Sequence, residues 1–190
     1  MEARQSKEGE DSDTEPAIGF VWLGTMGGRI AGRLLAAGNV VYGTNRTRSE
    51  ADPLVERGLI WRDTPRAVAE EAEVVFSMVS DAAALREITG GPDGILAGLR
   101  PGTVYVDMSP VDPMTSHEIA DRVQELDGVK LEAPIAGGVS DAEEGSLAIA
   151  VGGNAAAFAH VEPLLRQLGN AVAYVGGIGE ALWIRSQHQP

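Results

Sequence analysis

The sequence predicts an α/β fold in which helices cover both faces of a doubly wound, mainly parallel β-sheet. Short runs rich in β-branched residues alternate with helical segments along the 190-residue chain. The strand segments are continuous apolar runs, as expected for a parallel sheet that is buried on both faces. Glycine, at 24 residues, is concentrated at the ends of these runs, where tight turns and close ligand approach use it.

The alternation can be followed from the first apolar run to the last. Residues 17–23 form a buried strand, and a helix over 26–37 follows, with Gly38 as its stop signal. Pro65 begins a helix over 65–71, because the missing N–H of proline is tolerated in a first turn. The other strands are predicted at 40–44, 59–61, 74–79, 103–107, 129–133, 147–151 and 171–175, and the other helices at 49–57, 82–88, 113–126 and 155–168.

Composition excludes several classes of protein. The formal net charge of −13 argues against binding to nucleic acid, which needs clustered Lys and Arg. The chain has no cysteine, which excludes disulfides and thiolate sites, and no group of His and acidic residues has enough ligands to predict a metal site. No apolar run approaches the ~20 residues of a membrane-spanning helix.

The first sixteen residues differ in composition from the rest. They carry six acidic residues and almost no aliphatic ones, which predicts a disordered acidic tail over 1–16. The segment lacks the apolar core of a secretory signal and the Arg-rich character of a transit peptide, so the predicted location is the cytoplasm.

The turn after the first strand has the pattern of a dinucleotide-binding loop. In a G-x-G-x-x-G turn, the second glycine lets the backbone approach a pyrophosphate and the third lets helix and strand pack closely. Gly24 and Gly27 fit these positions, and Leu23, Thr25 and Met26 complete the candidate cofactor-binding turn. An ordinary strand-to-helix turn is the alternative.

The first position of that turn holds Trp22 instead of glycine. Two positions are possible for the indole. It packs as part of the core, or it lies across the pyrophosphate groove and lowers the affinity for the cofactor. We favour the second, because the end of a strand offers little buried volume.

A second candidate cofactor-binding segment lies after the second strand. Asn45, Arg46 and Thr47 come about 20 residues after Gly24, the separation expected for the group that reads the adenosine ribose. An acidic residue there selects NAD, whereas the planar cation of Arg46 suits a 2′-phosphate. The sequence therefore favours NADP over NAD, with a solvated surface arginine as the alternative.

Five motifs in order resemble the N-terminal domain of the β-hydroxyacid dehydrogenases, which include 3-hydroxyisobutyrate and 6-phosphogluconate dehydrogenases. The resemblance runs from about residue 18 to 185. It implies a Rossmann-type NAD(P)-binding domain over 17–178 and the start of an interdomain helix over 179–190, without the family's all-helical C-terminal domain. The motifs are LGTMG within 18–27, NRT at 45–47, FSMVSD at 76–81, DMSPVDPMTS at 107–116 and EAPIAGGVSDAEEGSL at 132–147.

The resemblance also implies site residues on the later strands. It places Met78, Val79, Ser80 and Ser109 beside the cofactor, at the carboxyl ends of two strands where open α/β sheets bind ligands. Ser109 as a turn or helix-capping residue is the alternative.

In the family, a Ser-Gly-Gly turn binds the substrate carboxylate. This sequence has Ala136, Gly137 and Gly138 there, so one donor is lost, although the glycine N–H groups remain suited to an anion. A plain loop is the alternative to a substrate-binding turn. Asp141 stands where the family prefers glycine, and we expect its charge to repel an anionic substrate; a solvated helical turn is the alternative.

The catalytic position departs from the family. The family has a lysine that exchanges a proton with the substrate hydroxyl, whereas this chain has Arg185. Arginine stays protonated, with a pKa above ~12, so it is not a general base, but it can hold an anion. His188 or Gln189 aligns with the family's asparagine, depending on the alignment.

Two functions remain open at this stage. The first is an NADP-dependent oxidoreductase, or its cofactor domain, that transfers hydride to or from a small β-hydroxy acid or its carbonyl partner. The second is a non-catalytic dinucleotide-binding or interaction module. The apolar residues 181–184 predict contact with a second copy or a partner that covers the last helix.

Overall fold

The computed structural model describes residues 15–187. Most of the predicted acidic tail, together with His188 and Gln189, therefore lies outside the described residues. Among the described helices, none combines the length and the apolar character that a membrane span requires.

The described chain forms one nine-stranded sheet in the order β3-β2-β1-β4-β5-β6-β8-β7, with β9 paired to β8. Strands β1 to β6 are paired in parallel, and so are β8 and β9, whereas β8 runs antiparallel to β6 and β7. The predicted fold class is confirmed. The strands are β1 Ile18–Val21, β2 Val41–Thr44, β3 Ile60–Trp61, β4 Val74–Ser77, β5 Val104–Asp107, β6 Val129–Glu132, β7 Ile135–Ala136, β8 Leu147–Gly153 and β9 Gly169–Gly176.

Helices connect the parallel strands and cover the sheet. Thr64, Asp81, Asp112 and Asn154 cap four of them by accepting hydrogen bonds from backbone N–H groups of the first turn. The helices are α1 Thr25–Ala36, α2 Asp52–Val55, α3 Pro65–Glu71, α4 Ala82–Thr89, α5 Ile95–Gly98, α6 Pro113–Gln124, α7 Val139–Glu144, α8 Ala155–Leu168 and α9 Glu180–Gln187.

The sheet separates two apolar cores. Alternate residues of β1 point to opposite faces, so Ile18 and Phe20 join one core and Val21 joins the other. Phe20 stacks on Phe76 of the neighbouring β4, with ring centroids 6.1 Å apart. This burial on both faces explains why central strands such as β1 and β4 are almost entirely apolar.

The strand order reverses between β1 and β4. From β1 the chain moves outward through β2 and β3, then returns to β4 and continues in the other direction through β5 and β6. The helix that follows β1, α1, packs on one face of the sheet, and the helix that follows β4, α4, packs on the other. A crevice therefore opens at the carboxyl ends of these two strands. Open α/β sheets bind their ligands at this switch point.

Several predicted bounds were wrong. The strand predicted over 74–79 ends at Ser77, because the N–H of Val79 donates to the Ser109 side chain. The helix predicted over 49–57 is a 3₁₀ turn, Arg48–Ala51, followed by the short α2, whose Pro53 lacks a backbone N–H. The elements α5, β7 and α7 are not predicted from the sequence, because they are too short to carry a hydrophobic period.

The apolar start of the last helix is partly covered by the domain itself. Ala181 and Leu182 are buried, whereas Trp183 is 58% exposed. A partner that covers this helix would therefore contact Trp183 and the residues around it. Such a contact stays a prediction.

Candidate functional site

The turn between β1 and α1 brings helix and strand into close contact. A Cβ atom on Gly27 would overlap the carbonyl oxygen of Trp22 and lie 3.0 Å from Cε1 of Phe20. Gly24 precedes the helix with extended backbone, and a Cβ there would have no heavy neighbour nearer than 3.6 Å. Gly27 thus serves close packing, while Gly24 leaves open space at the helix N-terminus.

This turn and the end of β4 line one cavity of about 260 Å³. The structure therefore brings together two segments that lie about 50 positions apart in the sequence, at the switch point of the sheet. Leu23 does not line this cavity: it is buried, and its N–H donates to the side-chain oxygen of Asn45 at 3.1 Å. The lining residues are Trp22, Gly24, Thr25, Met26, Gly27, Met78, Val79, Ser80 and Pro110.

A neighbouring cavity of about 320 Å³ opens beyond Trp22, and Asn45 and Arg46 line it. Thr47 lines neither of the two cavities. The Arg46 guanidinium lies 3.2 Å from a carboxylate oxygen of Glu87, and both side chains are about two-thirds exposed. An ion pair at this exposure is weak and readily exchanged for another anion.

Trp22 lies between the two cavities. Its indole Cδ1 is 3.6 Å from the position of a Cβ on Gly24, and the Arg46 guanidinium carbon stands 4.8 Å from the ring centroid. The Trp22 backbone has φ +80°, a conformation in which a bulky residue is strained and glycine is not. The indole also packs against one of the two cores and lines the switch-point cavity, and the choice between the two predicted placements stays a prediction.

Ser109 is buried and bonded within the chain. Its hydroxyl oxygen accepts from the N–H of Val79 at 3.0 Å, and its own N–H donates to Asp107 at 3.1 Å. It does not line the cavity beside β4. Ser109 therefore holds the end of β4 in place, and its predicted contact with the cofactor stays a prediction.

The candidate substrate turn is exposed, and its glycines have the freedom that the sequence indicates. Gly137 has φ +131°, a region that favours glycine. The N–H of Gly138 donates to the Asp141 carboxylate at 2.7 Å, and the Ser146 hydroxyl donates to the other carboxylate oxygen at 3.1 Å. These two hydrogen bonds hold the pKa of Asp141 below its ordinary value. The chain's own carboxylate thus occupies one donor of the turn.

Arg185 and the substrate turn meet in a larger cavity. Ala136, Gly137 and Arg185 line a space of about 640 Å³ between α9 and the strands β7, β8 and β9. The Arg185 guanidinium donates to the carbonyl oxygen of Ile135 at 3.3 Å, and partial burial lowers its pKa. The structure therefore brings Arg185 and the candidate substrate turn together, and their roles in catalysis and substrate binding stay predictions.

A buried polar network, which sequence reasoning missed, connects β4, β5 and β6. The Ser77 hydroxyl donates to Asp107 at 3.1 Å and accepts from Tyr105 at 2.7 Å. The Lys130 ammonium lies 3.8 Å from Asp107, and both side chains are buried. Burial raises the pKa of Asp107 and of Tyr105 and lowers the pKa of Lys130.

The network continues from Lys130 to the last helix. Lys130 donates to the Ser116 hydroxyl at 2.7 Å, and Ser116 donates to Glu132 at 2.8 Å. The other oxygen of Glu132 accepts from the N–H groups of Ala181 and Leu182 at 2.9 and 3.2 Å. The only signal in the sequence was the presence of two charged residues inside an otherwise apolar strand.

Within residues 15–187, no group of three or more His, Asp or Glu side chains has the arrangement of a metal site.

The fold and the switch-point site define a dinucleotide-binding domain. Residues 17–176 match a family model described as the NAD binding domain of 6-phosphogluconate dehydrogenase. The chain belongs to this family, and the resemblance predicted from the five motifs is confirmed.

Two named relatives differ in the activity that their names describe. The chain is 37% identical over 163 residues to 2-hydroxy-3-oxopropionate reductase of Escherichia coli (strain K12), covering 86% of this chain and 56% of the relative. It is 34% identical over 169 residues to cytokine-like nuclear factor N-PAC of Danio rerio, covering 89% of this chain and 37% of N-PAC.

A solved structure, Psf3 in complex with NADP+ and 2-OPP, is 32% identical and superposes with a TM-score of 0.85. The match covers 88% of this chain and 60% of Psf3. The chain thus spans less than two-thirds of the length of each of these relatives.

We expect Gly27→Ala to lower the free energy of unfolding by about 1–3 kcal/mol, because the new methyl group overlaps the Trp22 carbonyl and the helix must shift. Gly24→Ala is the matched control: its methyl group meets ordinary contacts, so urea unfolding should show a much smaller change. Equal losses in the two variants would contradict the assigned packing role.

Proposed function

We propose that the chain is the cofactor domain of an NADP-dependent oxidoreductase that acts on a small β-hydroxy acid or its carbonyl partner. One observation carries the proposal: the glycine turn before α1 and the Met78–Ser80 segment line one cavity at the switch point of the sheet. NADP(H), when bound, supplies or accepts the hydride, and the residues of this chain bind and orient it.

The described residues leave space for a dinucleotide, except where the Trp22 indole borders the groove. Gly24 leaves room for a pyrophosphate at the N-terminus of α1, where unpaired N–H groups and the helix dipole favour anions. The edge of the Trp22 indole borders the same space, so we propose that it narrows the groove.

Arg46 supports NADP over NAD. Its guanidinium lines the cavity beyond Trp22, and its partner Glu87 is exposed enough for a 2′-phosphate to displace it. The bound NADP+ in the related Psf3 structure agrees with this preference.

On the substrate side, we propose that Ala136, Gly137, Gly138 and Arg185 contact the hydroxy acid. The named activity of the Escherichia coli relative, a 2-hydroxy-3-oxopropionate reductase, is consistent with this class of substrate. We propose the cytoplasm as the location; the nucleus is the alternative that the name of N-PAC suggests.

A non-catalytic dinucleotide-binding module is the second candidate, and the identity of residue 185 favours it. Arginine remains protonated, so Arg185 does not accept the proton of a substrate hydroxyl. It can hold a carboxylate or stabilise an alkoxide. Binding of NADPH without hydride transfer distinguishes this candidate from an active enzyme.

We expect the parent chain to bind NADPH more tightly than NADH in calorimetric titrations and Arg46→Asp to reverse the order. A charged hydrogen bond of about 1.5–3 kcal/mol gives a difference of roughly tenfold or more. Arg48→Asp is the control, because Arg48 is an exposed arginine on the same loop that lines neither of the two cofactor cavities. An unchanged preference in Arg46→Asp would refute the NADP assignment.

We expect Trp22→Gly to tighten NADPH binding with little change in melting temperature. The substitution removes the indole from the groove, and glycine at φ +80° relieves backbone strain of roughly 1–2 kcal/mol, which offsets the lost packing. Thermal melting and NADPH titration are measured on the same samples. A variant that melts much earlier and binds NADPH no better would establish Trp22 as a core residue.

We expect the purified chain to transfer no measurable hydride with 3-hydroxyisobutyrate, glycerate or 6-phosphogluconate. The lysine base is absent, and a general acid–base group typically contributes about 10²–10⁴-fold to a rate. Absorbance of NADPH at saturating cofactor and substrate measures turnover. Robust oxidation of any of the three acids would exclude the non-catalytic candidate.

A further inference from the structure

The cavity beside α9 differs in chemistry from the cavities at the switch point. It occupies about 640 Å³ against one face of β7, β8 and β9. Twelve of its thirteen lining residues carry no side-chain hydrogen-bonding group, and the thirteenth is Arg185. The lining residues are Pro134, Ile135, Ala136, Gly137, Ala148, Ile149, Ala150, Ala171, Val172, Ala173, Val175, Ile184 and Arg185.

Arg185 is a cation in an apolar wall. Its guanidinium donates to the carbonyl of Ile135, and among the described residues no carboxylate lies within 4.0 Å of it. Partial burial disfavours the charged form and lowers its pKa. An anion in the cavity would restore the stabilisation that this guanidinium loses on leaving water.

The glycine turn at one end of the cavity is less favourable for an anion than Arg185 is. The N–H of Gly138 is already bonded to Asp141, whose carboxylate is held ionised by this bond and by Ser146. Asp141 therefore places negative charge next to the turn. A ligand carboxylate is attracted to Arg185 and repelled from the turn.

We propose that this cavity binds a monocarboxylate with an apolar body, whose carboxylate pairs with Arg185 and whose body lies on the alanine and valine side chains of β8 and β9. The proposal rests on the proposed function, because it defines the substrate class on the Arg185 side of that site. A polyhydroxylated acid is disfavoured, since the lining side chains other than Arg185 offer no partner to its hydroxyl groups.

Three probes separate charge from apolar contact. Octanoate has both the carboxylate and the apolar body, octanamide has the same body without the charge, and gluconate has the charge with a hydroxylated body. We expect calorimetric titration of the 190-residue chain to show octanoate binding at least tenfold more tightly than either of the others.

Arg185→Gln tests the assigned contact. We expect it to weaken octanoate binding at least tenfold and to leave octanamide binding within twofold. Arg166→Gln is the matched control, because Arg166 is an exposed arginine of α8 that pairs with Glu162 and does not line the cavity. It should bind octanoate like the parent. Ala173→Glu adds a negative charge to the cavity wall and should also abolish octanoate binding.

Equal affinities for octanoate and octanamide, or unchanged octanoate binding in Arg185→Gln, would overturn the proposal. So would sedimentation showing that a second copy of the chain covers this face and that octanoate does not displace it. NADPH titration of the same samples distinguishes failure of the carboxylate cavity from failure of the proposed cofactor binding. Octanoate binding without NADPH binding refutes only the cofactor assignment, and NADPH binding without selective octanoate binding refutes only the carboxylate cavity.

Discussion

The buried charge pair of Asp107 and Lys130 is the constraint around which the carboxyl ends of the central strands are arranged. Removing two ions from water is expensive, and an unpaired buried ion costs about 3–5 kcal/mol. Both charges are therefore embedded in hydrogen bonds, with Ser77 and Ser109 on Asp107 and Ser116 on Lys130. Satisfying these groups fixes the spacing of β4, β5 and β6 and the start of α6. Residues that directly follow β4 and β5, Met78–Ser80 and Pro110, line the switch-point cavity, so the network also holds this side of the cavity in place.

Glu132 extends the constraint to the last helix. Its carboxylate accepts from two N–H groups in the first turn of α9, where the helix dipole favours negative charge. Because α9 carries Arg185 one turn further on, the position of Arg185 relative to the substrate turn depends on a residue inside the sheet. A buried carboxylate that satisfies both a helix terminus and a serine hydroxyl has few alternative arrangements, and this favours one orientation of the helix.

The sequence was sufficient for the parts of the fold that depend on local pattern. Apolar runs such as 74–77 predict strands because both faces of a parallel sheet are buried, and Gly27 is predictable because helix and strand cross without room for a methyl group. The buried network was not predictable, since its partners are 14 to 50 residues apart and are chosen by tertiary packing. The hydrogen bond from the Gly138 N–H to Asp141 is not predictable from the sequence either. A carboxylate three positions after a glycine either caps a turn or faces solvent, and sequence alone does not decide between them.

The arrangement of charges around the cavities matters more for ligand choice than the net charge of the chain. An overall charge of −13 disfavours anionic ligands in general, but local cations decide binding at distances shorter than the roughly 8–10 Å over which salt screens charge. Arg46 pairs with the exposed carboxylate of Glu87 and stacks on Trp22. Its guanidinium is therefore oriented, but another anion can still replace the carboxylate. Arg185 is partly buried and lies within 4.0 Å of no carboxylate in residues 15–187, so it gains more from an anion. In the two proposals, Arg46 pairs with the 2′-phosphate of the cofactor, and Arg185 pairs with the carboxylate of the substrate.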